Sequence, residues 1–154
     1  MDSVAVRTRR LGPGLTVALA SVIAGGLLSA VTARAPSRNA SWAAAYLVLV
    51  VGIATLGLVL GRGFLSREQP SDRTLLGEFS AWLVGNALVL VGTLSEQTWL
   101  LDLGGLLLVT VLALTVLGVR RGPGLRWVRV GFTSLVLLLL VSIPIGLILA
   151  RLTD

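Results

Sequence analysis

Apolar residues do not alternate along this chain. They run in five blocks of about twenty, long enough to cross a membrane as helices: Leu15 to Ala33, Trp42 to Gly61, Thr74 to Leu94, Trp99 to Val119 and Val130 to Ala150. Only two charged side chains, Glu78 and Asp102, fall inside them. At 1.5 Å per residue, about twenty helical residues cover a hydrocarbon core of roughly 30 Å. A soluble surface helix is apolar along one stripe, whereas these blocks are apolar all round, as helices bathed by lipid are. The pattern predicts an all-α fold, a polytopic transmembrane helix bundle of five spans forming a single membrane domain over residues 1–154. The connections are too short to hold a soluble module, so any chemistry belongs to the spans or to the two membrane surfaces.

Composition agrees: 55% of residues are hydrophobic and the mean hydropathy is +0.94, above what a soluble domain tolerates. Charge then sets orientation. The formal net charge of +6 would point to nucleic acid in a soluble protein. Here the placement of arginines in short loops explains it, since such loops keep Lys and Arg on the cytoplasmic side. Arg7, Arg9 and Arg10 precede the first span, Arg62, Arg67 and Arg73 separate spans two and three, and Arg120, Arg121, Arg126 and Arg129 separate spans four and five. The opposite side holds only Arg34, Arg38 and Arg151. The N-terminus is therefore expected inside and the C-terminus outside. Trp42 and Trp99 then fall at the outer edge and Trp127 at the inner edge, where an amphipathic ring prefers the headgroup level.

The first block has a second reading. A basic start, an apolar stretch and Ala33-Arg34-Ala35 imitate a secretory signal peptide, and Thr8-Arg9-Arg10-Leu11 resembles a degraded twin-arginine signal. The stretch is longer than a signal core, and Pro36 would follow the cleavage point, which favours a retained helix; cleavage would leave four spans in the same orientation.

Missing residue types narrow the chemistry. The chain has no Cys, no His and no Lys, and Met1 is its only methionine. It offers no imidazole or sulfur ligand for haem, blue copper, a Cys/His zinc site or an iron–sulfur cluster. It also offers no lysine for a Schiff base or phosphate loop and no Ser-His or Cys-His nucleophile. No cofactor, no metal site and no catalytic residue is expected.

The polar groups inside the spans are the remaining candidates. Ionisable residues in a span are costly and mark ion or proton paths. Glu78 lies toward the inner end of span three and Asp102 toward the outer end of span four, roughly 20 Å apart along the helix axes. That separation excludes a shared metal or an acid/base pair. Asp102 is expected to make a structural ion pair with Arg151, and Glu78 to lie within reach of Arg62, Arg73 or Arg129. Asn86 falls near mid-bilayer, too deep to reach water. On a helical wheel Glu78, Trp82, Gly85, Val89 and Gly92 share a face, with Asn86 on its flank, and that face is expected to look inward. Asn86 reads first as a hydrogen bond between helices, worth about 0.6 kcal/mol. The sharper alternative makes Glu78, Trp82 and Asn86 a substrate or proton site.

Small residues describe packing. Ser21, Gly25, Ser29 and Ala33 recur every fourth residue in span one, as do Ser142, Gly146 and Ala150 in span five, and both predict tight crossings within the chain or between copies. Pro144 is expected to bend span five. Arg9 to Leu15 and Arg120 to Leu125 share a basic Gly-Pro-Gly element expected to turn at the inner surface. A second echo pairs Gly25-Gly26, Trp42 and Arg62 with Gly85-Asn86, Trp99 and Arg120, as a parallel duplication of spans one and two in spans three and four would.

The segments Ser41 to Gly52, Gly85 to Thr93, Asp102 to Gly105 and Ser142 to Gly146 resemble those of small uncharacterised actinobacterial multi-pass integral membrane proteins. The resemblance implies a bacterial plasma membrane setting and no activity. Two functions follow. The first is a structural, assembly or accessory component without catalytic apparatus, whose partners are membrane lipids and, through small-residue faces, other membrane proteins or further copies; nucleic acid is not among them. The second is a small oligomeric proton-coupled transporter using Glu78, Trp82 and Asn86. A membrane-embedded enzyme ranks behind both.

Overall fold

The computed structural model describes residues 2–35, 37–65, 71–119 and 126–152, and every regular element among them is helical. In order they are α1 (Asp2–Thr32), α2 (Arg38–Tyr46), a π-helical segment (Leu47–Ala54), α3 (Thr55–Leu65), α4 (Asp72–Leu94), α5 (Thr98–Val119) and α6 (Arg126–Leu152). Among the described residues five stretches are long and apolar enough to cross a membrane: Gly12–Thr32, Arg38–Gly61, Arg73–Leu94, Thr98–Val119 and Arg126–Ile143. They fall on the five expected blocks, the second being built from α2, the π-helical segment and α3 in series.

Local chemistry sets where helices start and stop. Ser37 caps α2, its hydroxyl accepting from the Ala40 N–H at 3.1 Å, and Ser71 caps α4 by accepting from the Thr74 N–H at 3.2 Å. The turn from α4 to α5 is closed differently. Glu96 sits at φ 57 in the left-handed region, and the Gln97 N–H donates to the Gly92 carbonyl at 2.9 Å, the Schellman arrangement that returns an orphan carbonyl its partner. Trp99 then donates its indole N–H to Gln97 Oε1 at 3.1 Å, fixing the ring beside the turn. One expected turn is absent. Gly12-Pro13-Gly14 lies inside α1, because proline forfeits a single backbone bond and the helix continues past it. Its counterpart, Arg120 to Leu125, lies outside the described residues. Helix α6 likewise continues through Pro144.

The chain divides into two compact units, Met1–Gly63 and Phe64–Asp154. In the first, α1 packs along α2 and the π-helical segment. A Cβ on Gly25 would stand 2.8 Å from the Ala44 carbonyl oxygen and 2.7 Å from Val48 Cγ2, so only glycine lets the backbones meet there. Further along, Gly52 faces Val22 and the Ala18 carbonyl, and Gly14 faces Val59. The seam of α1 therefore runs through Gly14, Ala18, Val22 and Gly25. The expected seam shares only Gly25 with it, since Ser29 and Ala33 are exposed.

In the second unit α5 lies between α4 and α6. A Cβ on Gly104 would stand 2.8 Å from the Gly85 carbonyl oxygen and 2.9 Å from the Val89 backbone nitrogen. One on Gly85 would meet Leu108 at 2.9 Å and the Gly104 carbonyl at 3.2 Å. Leu108, Leu112 and Val119 are fully buried along this seam.

The internal registers of the two hairpins coincide. Gly25 against Ala44 and Val48 in the first corresponds, at a constant offset of sixty residues, to Gly85 against Gly104 and Leu108 in the second. Buried positions on the second helix of each hairpin follow the same offset: Val51 and Val111, Gly52 and Leu112, Thr55 and Thr115. Gly25 and Gly85 fit the expected duplication. The tryptophans do not, because Trp42 corresponds to Asp102 and not to Trp99.

Candidate functional site

Helix α4 turns Trp82, Gly85, Asn86 and Gly92 into the interior of its unit and leaves Glu78 and Val89 half-buried, so the face read from the wheel is the packed one. Trp82 is 3% and Asn86 2% exposed. The spacing explains their neighbourhood: residues four apart stack on one side of a helix, and Asn86 donates its Nδ2 to the Trp82 carbonyl at 2.8 Å. That bond draws the amide back along its own helix. An asparagine so buried needs such a partner, because an unmet amide in an apolar interior costs several kcal/mol.

The structure adds Thr115, which the sequence reading passed over. It is 4% exposed, and its hydroxyl donates to the Val111 carbonyl at 2.8 Å. With Gly85 set against Leu108 and Gly104 against Val89, the antiparallel register carries Glu78 to the level of Thr115. Carboxylate, indole, amide and hydroxyl thus lie within about two turns of α4 and the facing stretch of α5. In the first hairpin the corresponding positions hold Ala18, Val22, Gly26 and Thr55. The threonine is common to both hairpins, but the carboxylate, indole and amide belong to the second alone. The signal available in the sequence was a threonine recurring sixty residues on, at the spacing of Gly25 and Gly85.

Asp102 lies apart from this group. It is exposed in the second turn of α5, beside the Ser95–Gln97 turn, while Glu78 sits toward the other end of α4, so the helix rise separates them by roughly 20 Å as expected. The side chains of Arg62 and Arg151, two of the expected ionic partners, lie outside the described residues. Arg73 is exposed and Arg129 half-buried. Of the aromatics expected at the membrane edges, Trp42 stacks on Tyr46 with ring centroids 5.0 Å apart, and Trp99 is exposed, as is Trp127 at the start of α6.

Chemically, one carboxylate beside a neutral indole, amide and hydroxyl can hold a proton or a hydrogen-bonding solute. A catalytic reading would rest on that carboxylate as the general base, since the chain has no His, Cys or Lys. Among the described residues no three acidic, His or Cys side chains gather into a metal-binding group. No protein-family profile, curated protein or solved structure matches the chain.

Proposed function

We propose that this chain is a five-span integral protein of a bacterial plasma membrane, N-terminus inside and C-terminus outside, serving as a structural, assembly or accessory component with α1 retained as a span. The observation that carries the reading is how polar groups in the apolar helices are used. Asn86 donates to Trp82, Thr115 to Val111, Thr93 to Val89, Thr110 to Leu106 and Thr32 to Leu28, each to a carbonyl of its own helix. A threonine hydroxyl bonded in this way spends its single donor inside its own helix and presents none to a solute. The hairpins meanwhile close on glycine contacts too tight for a side chain, and much of the outer surface is apolar: Leu27, Val31, Leu106, Leu117 and Leu138 are all more than 60% exposed. Such faces suit lipid and other membrane helices. Purification of the tagged protein in mild detergent tests this. A stoichiometric protein or lipid companion is expected; a bound small solute in its place would overturn the reading.

A second reading, a small proton-coupled transporter, is favoured by the asymmetry between hairpins. Glu78, Trp82 and Asn86 replace Ala18, Val22 and Gly26 at a shared register, and a purely structural duplication needs no such polar substitution. Vesicles loaded with a pH-sensitive dye decide it: solute-dependent proton flux lost in Glu78→Gln would establish the transporter over the component.

A further inference from the structure

We propose that the first turns of α6 hold the headgroup of an anionic phospholipid. A cavity of about 230 Å³ is lined by Arg129, Val130, Thr133 and Ser134. Their spacing places them on one side of α6. Val136, fully buried, marks the face that α6 turns to its unit; Arg129, seven residues earlier, falls on nearly the same line and Thr133 about 60° round from it, both half-buried. Val130 and Ser134 lie beyond them in the open. The cavity thus follows the line where packed surface gives way to exposed surface.

Three features of this line match one kind of ligand. Arg129 lies about 15 Å from the middle of α6, and Arg126 is exposed one turn nearer the end, so both guanidiniums stand at the depth of lipid phosphates. A guanidinium has five N–H donors in a planar fork that fits phosphate oxygens, and Arg126, exposed three residues before Arg129, brings a second such fork to the same end of α6. The Thr133 and Ser134 hydroxyls come a turn deeper, level with the glycerol and ester oxygens of a lipid whose phosphate rests on Arg129. Below them Leu137, Leu138, Val141 and Ile145 continue the side begun by Val130 and Ser134, all exposed, over roughly 16 Å. Cation, hydroxyls and apolar strip follow the order of phosphate, glycerol and acyl chain. A free phosphate ion would use the first and leave the strip idle. Charge complementarity selects an anionic over a zwitterionic lipid, since Arg126 and Arg129 put two guanidiniums on the first turn of α6 and residues 126–134 contain no acidic side chain.

The proposal rests on membrane insertion and on neither function. Full-length protein in non-ionic detergent is titrated with phosphatidylglycerol, phosphatidylcholine or inorganic phosphate, and bound lipid is counted by native mass spectrometry; circular dichroism checks the fold of each variant. Phosphatidylglycerol is expected to bind more tightly than phosphatidylcholine and to resist displacement by inorganic phosphate. Arg129→Gln should weaken it about fivefold, the effect of one charge at a membrane surface, while Arg73→Gln, outside the cavity, leaves the preference intact. Should Arg129→Gln fail to fold, the double variant Thr133→Val with Ser134→Ala supplies the same test, expected to lower phosphatidylglycerol binding about twofold to fivefold. Equal binding of the two lipids, or equal loss in Arg129→Gln and Arg73→Gln, would refute the site. Displacement of phosphatidylglycerol by equimolar phosphate would reassign it to a free anion. Failure of the wild type to float with any vesicle would refute membrane insertion itself, a result distinct from loss of lipid preference.

Discussion

Replacing Gly104 by alanine tests the packing argument most directly, because the added methyl has nowhere to go. Its carbon would stand 2.8 Å from the Gly85 carbonyl oxygen and 2.9 Å from both the backbone nitrogen and Cγ2 of Val89. Two of these three neighbours are backbone, which no rotamer change can move aside. An ordinary contact is 3.4 Å or more, so α4 and α5 must part by roughly 0.5 Å at their closest point, and such overpacking costs about 1–3 kcal/mol. Alanine returns about 0.5–1 kcal/mol through its better helix propensity. The net expectation is a loss of about 1–2 kcal/mol. The same substitution at Gly26, Gly77 or Gly131 meets nothing within 4 Å and should stabilise by about 0.5–1 kcal/mol, reversing the sign. Gly85→Ala should fall between, as its tightest neighbour is the movable end of Leu108. Helicity of purified protein followed against dodecyl sulfate mole fraction would rank the variants. Gly104→Ala at least as stable as Gly131→Ala would refute the close crossing of α4 and α5.

Glu96→Gly should stabilise the α4–α5 hairpin by about 0.5–1 kcal/mol in the same titration, since the left-handed conformation at φ 57 is strained for any residue with a Cβ. Glu96→Val should do the reverse. Asn86→Leu removes the bond to the Trp82 carbonyl and, for a structural asparagine, should cost about 1 kcal/mol in that assay, whereas abolished transport with full stability would make it a ligand. Asp102→Asn, at an exposed position, should shift stability within about 0.5 kcal/mol and leave any activity intact; lost activity in a stable variant would give Asp102 a working role. Reporter fusions after Arg67 and Arg121 should read cytoplasmic and one after Asp154 external, and an N-terminus found at Pro36 by mass spectrometry would reduce the spans to four.

The linear pattern carried the five helices and the packed face of α4, because transfer from water depends on what a segment is made of and helical spacing on backbone geometry alone. It placed Trp82, Gly85 and Asn86 inside and Asp102 far from Glu78 for the same reason. Contacts between helices were less accessible, since they depend on two segments at once. Ser21, Gly25, Ser29 and Ala33 all permit close approach, yet only Gly25 is used at the Ala44 carbonyl, where α2 presents its backbone. The internal register of each hairpin likewise made Gly25 the counterpart of Gly85 and Thr55 that of Thr115, and made Trp42 correspond to Asp102 where the spacing of tryptophans had paired it with Trp99. Thr115 looked like one hydroxyl among many until burial singled it out, because one residue's solvent exposure is fixed by atoms that its neighbours in sequence do not supply. The π-helical run at Leu47–Ala54 was hidden too: its residues suit any apolar helix, and Gly52 shows its use only against Val22 and Ala18 of α1. Composition determined that these helices are apolar enough to cross a membrane; the meeting of glycine with backbone decided how they pack in pairs.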